Sequence, residues 1–84
     1  MDKLSALPNI GKDTEKQLND VGITSIEQLI KTGSKQAWLK LKEIDPSACI
    51  HRLYGLEGAI RGIRKAELPD DVKKDLKEFY NTFK

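Results

Sequence analysis

The sequence has little of what would build a catalytic or metal centre. It holds one cysteine, Cys49, and one histidine, His51, in 84 residues. A single cysteine excludes an internal disulfide and leaves no cysteine-based zinc spacing. His51 has no second His or Cys at ligand spacing, and no Ser or Cys that a helical turn would set beside it. The carboxylates are scattered over helix starts and exposed faces, and no pair is forced into a common pocket. Acid–base hydrolysis therefore lacks its parts. These gaps argue against an enzyme: no catalytic residue, cofactor or metal ligand is expected. Long apolar runs are also missing, so no membrane span is expected. The opening MDKLSALPN lacks the apolar middle of a signal peptide. The expected location is the cytoplasm. Val, Ile, Thr and aromatics never alternate at period two over a useful length, which excludes strands.

What remains is a chain of one small domain, 33% charged and 38% apolar, the balance of a globular protein. Net charge is only +2, but it is unevenly placed. Residues 1–30 carry three Lys against five acids, residues 31–65 eight Lys/Arg against three, and residues 66–84 four against five. The middle of the chain is the electrostatic footprint for an acidic partner, unless it is simply a solvated face.

Every segment reads as helix, about five in all. A short first helix is expected over Asp2 to Leu7, broken by Pro8. A second runs from Gly11 or Lys12 to Val21 and stops at Gly22. Thr24 and Glu27 have the spacing of a capping box for a third, with Ile26, Leu29 and Ile30 on one face. Ser34 is the expected cap of Lys35 to Glu43, with Ala37, Trp38 and Leu41 turned inward. Asp45 as N-cap and Pro46 at the first helical position predict a long helix from Pro46 to about Lys65. Its apolar stripe would be Cys49, Leu53, Leu56, Ile60 and Ile63. Leu68-Pro69-Asp70-Asp71 opens the last helix, whose seam is Val72, Leu76, Phe79 and Phe83.

Leu7-Pro8-Asn9-Ile10-Gly11 turns tightly between the first two helices, with Ile10 directed into the core. This is the helix-hairpin-helix pattern, in which Gly11 lets a partner's backbone approach and the first N–H groups of the next helix face an anion. Lys12 could add a charge; Asp13 would repel a phosphate. The turn reads equally well as a purely structural hairpin.

Residues 7–11, Val21-Gly22-Ile23, Ala37-Trp38-Leu39-Lys40-Leu41, Asp45-Pro46-Ser47-Ala48-Cys49, Arg52-Leu53-Tyr54-Gly55-Leu56-Glu57-Gly58-Ala59-Ile60 and Leu76-Lys77-Glu78-Phe79-Tyr80 follow one another as in a known family. Over nearly its whole length the chain resembles the C-terminal domain of the TfoX (Sxy) family, bacterial proteins linked to control of natural competence. The resemblance implies an all-α domain with a helix-hairpin-helix-like N-terminal half. It also implies an N-terminal α/β domain in full-length relatives, to which nothing here corresponds.

Two features of the long helix remain. Gly55, Gly58 and Gly62 lie along one edge and cost about 1 kcal/mol each in a helix interior. Close approach of another helix, in the chain or across a homodimer, should offset that cost. Tyr54, Arg61, Arg64 and Lys65 gather on another side, a combination that suits nucleic acid or an acidic protein surface. The residues expected to meet a protein partner or duplex DNA are therefore Asn9, Gly11 and Lys12, with Tyr54, Arg61, Arg64 and Lys65 as auxiliaries. DNA binding would be weak and non-specific.

Overall fold

The computed structural model describes residues 3–83. Five α-helices form: α1 (Lys12–Asp20), α2 (Ile26–Thr32), α3 (Ser34–Ile44), α4 (Ile50–Arg61) and α5 (Asp70–Phe83). Short 3-10 turns precede α1 (Leu4–Ala6) and α5 (Lys65–Glu67). No strand forms among the described residues. The all-α reading holds.

Trp38 is the centre of the core. It is fully buried on α3, beside Ala37 and Leu41. Its ring meets Phe79 of α5 edge-on at 6.1 Å between centroids, and Tyr80 at 5.5 Å. Its indole Nε1 donates to the carbonyl of Cys49 at 3.3 Å, so the one polar atom of the ring is satisfied. Leu53 and Leu56 of α4, Leu18 of α1 and Leu29 of α2 close around it. The α5 seam is graded: Leu76 is buried, Val72 and Phe79 are half-buried, and Phe83 is exposed.

Helix ends account for most departures from expectation. The first helix is only the 3-10 turn Leu4–Ala6, because Pro8 leaves no length for an α-helix; the expected start at Asp2 lies outside the described residues. The cap of α2 is Ser25, whose hydroxyl accepts from the Gln28 N–H at 3.1 Å. Gln28 reaches back to the Thr24 N–H at 2.7 Å, so Thr24 and Glu27 do not form the expected box. Ser34 is the first residue of α3 and not its cap. Gly33 takes the cap position, and the Ser34 hydroxyl donates instead to Glu57 at 2.6 Å.

The largest correction concerns α4, which is shorter than expected at both ends. Asp45 accepts from the Ser47 N–H and hydroxyl, and the Ala48 N–H donates to the Asp45 carbonyl. The carboxylate thus closes a separate turn over residues 45–48, and α4 starts only after Cys49. Cys49 is exposed, not part of the apolar stripe. At the other end Gly62 adopts φ +75, its N–H bonds to the Ala59 carbonyl, and the Ile63 N–H bonds to the Gly58 carbonyl. This Schellman closure ends α4 at Arg61, four residues before Lys65. Ile60 and Ile63 are only half-buried.

Candidate functional site: the hairpin and its groove against α4

The Ile10 N–H donates to the Leu7 carbonyl at 3.4 Å, with Pro8 first and Asn9 second in the turn. Asn9 has φ +68, the only positive value among the described non-glycine residues. Proline followed by a positive φ marks a type II turn, and Asn bears that conformation better than most side chains. Ile10 is buried, as its place in the pattern requires.

Asn9 does more than fill the turn. Its Nδ2 donates to the Gly55 carbonyl at 3.3 Å and the Ile63 carbonyl at 3.0 Å. Its Oδ1 accepts from the Lys65 N–H at 3.1 Å. Both amide hydrogens are spent, and the hairpin is tied to the end of α4 and to the chain leaving it. This contact also answers the glycine question. A Cβ on Gly58 would lie 2.6 Å from Asn9 Nδ2 and 2.7 Å from the Ile63 oxygen; one on Gly55 would lie 3.4 Å from Asn9 Cβ. The close neighbour is the hairpin and the turn after α4, not another helix. Gly62 belongs to the edge by sequence only, since it is the left-handed terminator.

Gly11 is the N-cap of α1, with φ −91 and no side-chain cap. Nothing lies within 4 Å of where its Cβ would be. Neither conformation nor packing in the chain calls for glycine there. Lys12 beside it is exposed. Glu15 in the same turn accepts from the Ser5 N–H at 3.0 Å, holding the leading 3-10 turn against α1.

Among the other expected contact residues, the structure brings Lys65 to the hairpin and separates the rest. Lys65 is fixed through its backbone by Asn9. Arg61 pairs with Glu57 at 2.5 Å and lines a different hollow, with Ser34, Lys35 and Asp75. Tyr54 is half-buried and meets His51 edge-on at 6.3 Å. Arg64 is exposed, in the turn beyond α4. The expected cluster assumed a helix running to Lys65; α4 ends at Arg61, so Tyr54 and Arg61 stay on it while Arg64 and Lys65 lie beyond the stop at Gly62.

Between hairpin and α4 lies a groove of about 280 Å³, lined by Asn9, Ile10 and Thr14 on one side and Cys49, His51, Arg52 and Gly55 on the other, with Lys65 at its end. No motif or spacing in the sequence selects Arg52 or His51. The groove joins segments some forty residues apart, and only the fold sets them side by side. Arg52 is steadied by Gln17, to which its Nη1 donates, and lies 4.0 Å from Asp45. The Ser47 hydroxyl, followed by the Gln17 amide, holds the Asp45 carboxyl below its ordinary range. At Glu57, burial pushes the pKa up, but bonds from Ser34 and Arg61 outweigh it and the net shift is downward. Among the described residues no three His, Cys, Asp or Glu side chains gather to hold a metal, and no helix is long and apolar enough to cross a membrane.

The family model of the TfoX C-terminal domain matches residues 1–80. Protein Sxy of Escherichia coli (strain K12) is 36% identical over 78 residues, which is 93% of this chain. The chain spans only 37% of that relative's length. Two crystal structures from Listeria monocytogenes, one of an uncharacterized protein in a triclinic form and one of a protein of unknown function in a tetragonal form, superpose with TM-scores of 0.95 and 0.93. Both are 44% identical and cover 96% of this chain; the chain covers 92% and 99% of them, respectively.

Proposed function

The chain belongs to the TfoX C-terminal domain family, and from that premise we propose that it is a non-enzymatic regulatory module of the cytoplasm. It would engage a protein or duplex-DNA partner through the hairpin and the basic residues around it. The competence control implied by the family resemblance is part of the same proposal.

The observation that carries this reading is the contrast between Asn9 and Gly11. Asn9 is committed inward and fixes the turn. Gly11, two residues on, has no internal reason to lack a side chain. A bare backbone at an exposed helix start, beside Lys12, suits close approach by a partner's backbone or phosphate. Asp13 in the same turn weighs against a strong phosphate site and favours weak, sequence-independent binding.

A duplex titration at two salt concentrations tests the DNA form. About three phosphate contacts give a log–log salt slope near −3. Lys12→Ala should weaken binding equally on all sequences, and Gly11→Val should weaken it without lowering the melting temperature. Absence of binding at low salt and high protein concentration would leave a protein partner as the reading.

A further inference from the structure

The groove between hairpin and α4 supports an inference that rests on the interaction-module reading and names its contact. His51, Arg52 and Lys65 line the groove together with the Thr14 hydroxyl, and no carboxylate does. Two other hollows mix signs. One sets Lys35 and Arg61 against Glu57, Asp71 and Asp75. The other sets Lys16 and Arg52 against Asp13, Asp20 and Asp45. The ionisable walls of this hollow are basic, apart from a thiol; Asp45 at 4.0 Å partly balances Arg52, while Lys65 has no salt-bridge partner among the described residues, so the groove keeps a net positive potential.

The donors are also held in place. Nη1 of Arg52 is spent on Gln17, beside Asp45, which fixes the guanidinium. Its other nitrogens make no bond among the described residues, and a fixed fork suits an oxyanion. Lys65 makes no salt bridge among the described residues, while Asn9 pins its backbone. At about 280 Å³ the groove has the liquid volume of about nine waters. That is room for one phosphate group and its hydration.

We infer that the groove receives one backbone phosphate of duplex DNA, bound by Arg52, Lys65 and His51. A neighbouring phosphate then meets the exposed start of α1 at Gly11 and Lys12. An isolated anion would use the groove alone; a polyanionic backbone uses both, and the hairpin that joins them is rigid.

Cys49 supplies the test. It is the sole cysteine, it is exposed, and it lines the same groove. Its rate of alkylation by iodoacetamide therefore reports occupancy. A saturating 16-base-pair duplex at low salt should slow the reaction several-fold. Lys65→Gln should weaken duplex binding and reduce the magnitude of the salt slope by about one. Inorganic phosphate at equal ionic strength should leave the alkylation rate unchanged. Equal protection by inorganic phosphate would make the groove a free-oxyanion site and overturn the DNA assignment. Duplex binding that spares the Cys49 rate and ignores Lys65→Gln would overturn the groove while leaving the hairpin as the contact. No duplex binding at all would overturn the inference and leave the module with a protein partner.

Discussion

Gly58→Ala and Gly55→Ala are predicted to change stability in opposite directions, although both replace glycine with a good helix former in the interior of the same helix. Helix propensity alone favours each substitution by up to about 1 kcal/mol. At Gly58 the new methyl would lie 2.6 Å from Asn9 Nδ2 and 2.7 Å from the Ile63 carbonyl oxygen. The amide could withdraw only by giving up its three hydrogen bonds, each with a net contribution of about 1 kcal/mol. The Ile63 oxygen is backbone, one residue past the left-handed Gly62, and moving it loosens the end of α4. The cost is therefore that of overpacking or of the lost clamp, about 3 kcal/mol, against about 1 kcal/mol of propensity. The net expectation is a loss of about 2 kcal/mol, or roughly 8–16 °C in melting temperature for a domain of this size. At Gly55 the methyl meets Asn9 Cβ at 3.4 Å, an ordinary contact, so propensity should prevail and stability should rise slightly. Thermal and urea denaturation of the two variants measures both signs. A second control is Asn9→Gly, which keeps the positive φ but removes the amide. Gly58→Ala should cost less in that background, since one of its two clashes is gone. A higher melting temperature for Gly58→Ala in the otherwise native chain would refute the clamp.

Three further outcomes follow from the same geometry. Cys49→Ser should be neutral or stabilising by up to about 1 kcal/mol, because residue 49 is an exposed N-cap where serine is preferred; equilibrium unfolding checks it, and a clear loss would restore the buried stripe expected from the sequence. Trp38→Ala should cost about 3–5 kcal/mol and Phe79→Ala distinctly less, since the first ring is fully buried and the second half-buried. Glu57 has a folded pKa below its ordinary 4.5, so its contribution is complete above that value and is lost as pH falls through the depressed one; Ser34→Ala should flatten the acid limb of a stability–pH profile, and an unchanged limb would remove Ser34 as a cause.

The parts of the fold legible in the sequence are those set by local chemistry. Pro8 and Gly22 bound their segments as expected, Ile10 and Trp38 entered the core, and Asp70-Asp71 opened α5. The ends of α4 differ from expectation because two short-range signals have competing meanings. Asp45 before Pro46 can cap a helix or close a turn, and the Ser47 side chain two residues on selects the turn. Gly62 can be tolerated inside a helix or end it; here it takes φ +75 and closes the end locally, and Asn9, 54 residues away from Ile63, binds the carbonyl that the turn presents. The same contact explains why the candidate site was only half legible. The turn at residues 7–11 announces itself, but the groove needs Arg52 and His51 beside it, and that juxtaposition depends on tertiary contacts.

If the hairpin, with the groove beside it, is the surface on which this domain meets its partner, the contact should be visible residue by residue. Amide NMR of the intact chain during titration with a short duplex at low salt tests it most directly. Progressive shifts are expected at Gly11, Lys12, Thr14, Arg52 and Lys65, reversed by added salt, with α5 unmoved. Shifts centred on α5 or on the α2–α3 junction at residues 32–36, with the hairpin silent, would overturn it.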